Sequence, residues 1–101
     1  MGQHLGAVPA LPPDAILELT AAATARGLQP LLVPDFPPLL AAPLIRKIAA
    51  VELTVEAALT GSRAPFVKAL LADGCVSDPA VAGRPADDLL TAHKAHLPQF
   101  A

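Results

Sequence analysis

Glu52 and Glu56 stand four positions apart, the spacing that places two side chains one above the other on a helix. Paired carboxylates so placed could bind a metal ion or divide acid and base roles. A metal would recruit a histidine or a further carboxylate close by, and this segment supplies none. The expectation is therefore a solvated or ion-paired face, with Arg63, seven residues after Glu56, as a partner across a turn. His93 and His96 have the i, i+3 spacing that can bring two imidazoles to neighbouring helix positions. Two ligands do not make a metal site. His93, four residues after Leu89, is expected to lean on the apolar face, and His96 to interact with the dipole at a helix end. Cys75 would be a nucleophile only beside a base that lowers its pKa. Gly74 and Val76 offer nothing of the kind, so Cys75 is expected to be an inert, partly buried thiol. No residue is assigned a catalytic, cofactor-binding or metal-binding role.

What the chain lacks narrows the choice further. It has no Gly-x-Gly-x-x-Gly loop to bring backbone N–H groups against a pyrophosphate, no phosphate-binding Gly-Lys-Ser/Thr, no His-Glu-x-x-His and no tyrosine. A single cysteine excludes an intramolecular disulfide and a thiolate-rich zinc site. It suits a reducing compartment, and a cytoplasmic location is expected. The net charge of −2, with seven scattered basic residues, argues against nucleic acid or an anionic membrane as partner, because counterion release needs a clustered basic face. Pro12, Pro13, Pro30, Pro34, Pro37, Pro38 and Pro43 break the apolar segments well short of a membrane span. The first residues show neither an export signal nor a myristoylation pattern, Gly6 standing where Ser or Thr is needed.

The elements that would position these residues follow from the apolar pattern. Residues 1 to 14 are rich in Gly and Pro and are expected to run extended, leading to a short strand over Ala15-Ile16-Leu17-Glu18-Leu19. Thr20 to Arg26 is Ala-rich and suits a helical turn ended by Gly27; Leu28 to Val33 then suits a second strand, which Pro30 demotes to an edge or bulge. From Pro37 the period becomes helical. Leu44, Ile45, Ile48, Val51, Val55 and Leu59 recur at threes and fours on one face, and Pro43 either delays that helix or kinks it. Gly61 can turn left-handed at the helix end, and Ser62 is placed to cap the next helix, whose Phe66, Val67, Leu70 and Leu71 form one stripe. The result is a tight helical hairpin ended by Asp73-Gly74. After a loop over residues 75 to 84, Pro85, Asp87 and Asp88 open a third helix that Pro98 stops.

The fold class is thus α+β: two short strands, a helical hairpin and a C-terminal helix. The chain is expected to be a single domain over residues 1–101, with a Pro-rich extended or strand segment over 1–36 and a helical segment over 37–101. Hydrophobic residues make up 53% of it, yet there are only three Phe and no Trp or Tyr. So small a domain cannot hide that much aliphatic surface internally, and an exposed apolar patch that docks on a sister subunit or a missing domain is expected.

Several segments, taken in order, carry a resemblance. Gly6 to Pro12, Leu17-Glu18-Leu19, Gly27-Leu28-Gln29-Pro30-Leu31 and Phe36-Pro37-Pro38 are followed by Glu52-Leu53-Thr54-Val55-Glu56-Ala57-Ala58-Leu59-Thr60-Gly61. Then come Lys68-Ala69-Leu70-Leu71-Ala72, Asp87-Asp88-Leu89-Leu90 and Leu97-Pro98-Gln99-Phe100. Over nearly its whole length the chain resembles the C-terminal region of family 4 glycoside hydrolases. It departs from their pattern at Ala10, Thr20 and Gly74-Cys75.

The resemblance implies part of the C-terminal domain of a lactate/malate-dehydrogenase-like glycosidase. It also implies a family chemistry: NAD and a divalent metal, commonly manganese, oxidise the sugar transiently at C3, which acidifies C2 and permits elimination of the leaving group. The dinucleotide loop, the metal-binding Cys and His, and the tyrosine base would all belong upstream of this segment, and Cys75 does not inherit the metal-binding role. The chain alone is expected to be inactive and to need no cofactor of its own. Its expected partner is a second copy of itself, as a homo-oligomer, or a separate NAD-binding half. A non-catalytic helical oligomerisation module is the alternative.

Overall fold

The computed structural model describes residues 2–4 and 6–101; Met1 and Leu5, within the stretch read as extended, lie outside the described residues. The chain forms two compact units, Met1–Ile45 and Arg46–Ala101. The architecture is α+β, with two small antiparallel ribbons followed by three helices.

The first ribbon pairs β1 (Gly2–Gln3) with β2 (Ile16–Leu17), and the second pairs β3 (Ala21–Thr24) with β4 (Gly27–Pro30). Between β1 and β2 the backbone coils rather than running extended. Val8 C=O accepts the Leu11 N–H at 3.0 Å and Pro12 C=O accepts the Ala15 N–H at 3.1 Å. Each closes a four-residue turn whose second position is a proline, Pro9 and Pro13, where the ring presets the φ such a turn needs. The turns bury Ala7, Val8, Leu11 and Ala15 around His4, which is itself 1% exposed.

The Ala-rich stretch after β2 is a strand, not a helical turn. Thr24 pairs with Gly27 across the two-residue loop Ala25-Arg26, and Gly27 sits at φ 103°, which glycine adopts without steric cost. The Thr24 hydroxyl accepts the Arg26 N–H at 3.1 Å and donates to the Gly27 carbonyl at 3.2 Å, closing the hairpin from within. Pairing with β4 thereby overrides the helical preference of alanine. Pro30 ends β4 on an outer edge, where the missing N–H does no harm.

Helix α1 spans Pro38–Thr60, with the Pro37 carbonyl accepting the N–H groups of Leu40 and Ala41 at its start. Pro43 lies inside it and leaves the Leu39 carbonyl without its usual i+4 donor. Gly61, at φ 66°, turns the chain into α2 (Arg63–Asp73), which Gly74 ends in the left-handed conformation with its N–H on the Leu71 carbonyl. Ser62 occupies the N-cap position with extended backbone but its side chain makes no capping bond; its own N–H instead donates to the Thr60 hydroxyl at 3.3 Å. Helix α3 spans Gly83–Ala92, starting two residues before Pro85, and the chain ends in 3₁₀ turns over Lys94–His96 and Pro98–Phe100.

Candidate functional site

Within the second unit α1 has two apolar sides. Ala50 and Ala57 are buried and Leu53 is half-buried, and Ala50 lines a groove together with Phe66, Ala69 and Leu70 of α2. Val51 borders the same groove and stands 60% exposed, and further round the helix Val55 and Leu59 stand open at 48% and 81% exposure, with Ile48 half-buried. The periodic stripe of the sequence is therefore largely an open face. The buried positions of α1 in this unit are alanines, while the larger Val55 and Leu59 stand outward. In the first unit, Leu39, Leu40, Leu44 and Ile45 of the same helix are also exposed.

Glu52 and Glu56 are both exposed and border the open side, lining a shallow depression with Val55 and Leu59. Arg63 does not pair with Glu56. Its Nε donates to Asp87 Oδ1 at 2.6 Å and its Nη2 to Asp87 Oδ2 at 2.9 Å, with a further bond from Nη2 to the Gly83 carbonyl at 3.1 Å. The planar guanidinium matches a carboxylate edge-on, and Asp87 sits one turn into α3, so α2 and α3 are joined by a two-pronged clamp. This contact raises the pKa of Arg63 and lowers that of Asp87, in each case chiefly through the shared hydrogen bond. A Cβ at position 83 would come within 2.8 Å of Arg63 Nη2, so glycine there leaves room for the clamp.

A second polar junction, not foreseen from the sequence, closes the helical hairpin. Arg46 Nε donates to the Ala72 carbonyl at 2.6 Å, and Lys47 Nζ reaches Asp73 Oδ1 at 2.5 Å. Two cations of α1 thus satisfy and neutralise the carbonyl end of α2. The signal was present: in an antiparallel hairpin an Arg-Lys pair early in one helix falls beside the end of the next.

Cys75 is exposed rather than partly buried, because it follows the helix-ending Gly74 in open loop. Its thiol donates to Asp73 Oδ2 at 2.7 Å, and the carboxylate raises the thiol's pKa. Asp73 is correspondingly lowered, first by the Cys75 bond and then by Lys47. His93 is the C-terminal cap of α3 and exposed, not packed on the apolar face, since α3 ends at Ala92 before the side chain can turn inward. His96 is exposed at the end of the following 3₁₀ turn. His4, unremarked in the sequence, is the buried imidazole: Nδ1 accepts the Val8 N–H at 3.3 Å and Nε2 donates to the Pro12 carbonyl at 2.5 Å. Both ring nitrogens are used up in holding turns. A cleft of about 200 Å³ is lined by His4 together with Gln3, Leu17, Leu19 and Leu28.

Comparison with protein families matches residues 3–76 to the family 4 glycosyl hydrolase C-terminal domain. The chain belongs to that family. A probable 6-phospho-beta-glucosidase of Bacillus subtilis (strain 168) is 34% identical over 96 residues, which cover 94% of this chain and 22% of the relative. The chain thus spans about a fifth of the length of that relative.

Family 4 glycosidases use NAD and a metal. Among the described residues no three His, Cys, Asp or Glu side chains converge as a metal would require. Each positive-φ glycine among them closes a turn or a helix end, and none belongs to a glycine-rich loop opening a helix. Also among them, no helix is long and apolar enough to cross a membrane.

Proposed function

We propose that this family 4 domain is the non-catalytic C-terminal part of a glycosidase, working in company with an NAD-binding half. The observation that carries this is the family match over residues 3–76 together with a span of only 22% of the Bacillus relative. The substrate class suggested by the Bacillus relative is a 6-phospho-β-glucoside. Sugar oxidation and leaving-group elimination would rest on NAD, manganese and residues of the other half. The role of these residues is to hold a scaffold: Arg63 on Asp87 and Arg46 with Lys47 on the end of α2 fix three helices. We place the assembled enzyme in the cytoplasm.

The test is release of p-nitrophenol from its β-glucoside and 6-phospho-β-glucoside with NAD and manganese present, using the chain alone and the chain mixed with a candidate NAD-binding half. No turnover by the chain alone and turnover by the mixture are expected. Cleavage by the unaided chain overturns the proposal. The exposed apolar side of α1 favours a second reading, a homo-oligomerisation module without sugar chemistry. Stable dimers in size-exclusion chromatography, together with no turnover in any mixture, would select it.

A further inference from the structure

We draw no further inference here: the strongest candidate, the open apolar side of α1 formed by Val51, Val55 and Leu59 beside Glu52 and Glu56, carries nothing because nothing in the structure shows what covers it.

Discussion

Asp73 serves two neighbours at once, and that determines how Cys75 behaves. One carboxylate oxygen accepts the thiol proton and the other meets Lys47, so the thiolate would form against a negative charge. An exposed cysteine beside a cation or a proton-accepting imidazole would react fast; this one is held in its thiol form by a carboxylate anion. Asp73→Asn removes the charge and is expected to speed alkylation of Cys75 by iodoacetamide several-fold near pH 8, read by intact mass against time. An unchanged rate would show that the Asp73 contact does not govern the thiol. Asp87 supplies the matching test in acid. Its folded pKa lies below the ordinary aspartate value of about 3.9 because Arg63 holds the ionised form. A depressed carboxylate contributes stability that is fully present above the unfolded pKa and is lost as pH falls through the folded one. Thermal melts of the chain should therefore drop below about pH 4, and those of Asp87→Asn should drop less steeply over the same window. Equal slopes would mean that the clamp adds nothing. Neither role could be read from the sequence, since Asp73 and Asp87 look like ordinary helix-end acids until tertiary contact chooses their partners.

The helical hairpin shows which parts of an element its own residues dictate. Gly61 and Gly74 sit at φ 66° and 89°, as a helix-ending glycine pattern requires, and both were legible. A Cβ at position 61 would also collide with the Gln99 carbonyl. Gly61→Ala is expected to cost about 1–3 kcal/mol, from the left-handed backbone alone upward, whereas Ser62→Ala should stay within about 0.5 kcal/mol because no capping bond exists to lose. Urea unfolding of both variants separates them, and a Ser62→Ala loss near 1 kcal/mol would restore the cap. The strand-helix pattern was legible at Ile16-Leu17 and from Pro38 onward, where period and proline agree. It failed at Ala21–Thr24, since an alanine run names no partner and only β4 makes it a strand. It failed again along residues 6–14, where a Gly- and Pro-rich stretch is expected to run extended but Pro9 and Pro13 act as turn formers. His4 escaped notice because a lone histidine advertises nothing until the turns close around it.

Composition alone announced that aliphatic surface would outrun the interior, and the distribution of residues explains how. Among the described residues the buried hydrophobics are alanines apart from Val8, Leu11 and Pro65, while Leu39, Val51 and Leu59 are among the most open. Which side of α1 stays open was not legible: period 3.6 marks an apolar stripe but cannot tell a stripe facing its own core from one facing outward. The buried positions of this stretch are Ala50 and Ala57, which the apolar period does not single out from their larger neighbours. If the outer stripe is a surface awaiting cover, polar replacement there should leave folding intact and remove adhesion. The double variant Val55→Ser, Leu59→Ser is expected to melt within a few degrees of the parent, as exposed positions shift stability by only about 0.5 kcal/mol each. It should also bind less of an apolar dye such as ANS and self-associate less in sedimentation. A buried Leu or Val would behave otherwise, since a large-to-small change in a core costs about 2–5 kcal/mol. A large fall in melting temperature would thus place the stripe inside the fold, and an aliphatic side open to a partner would no longer describe α1.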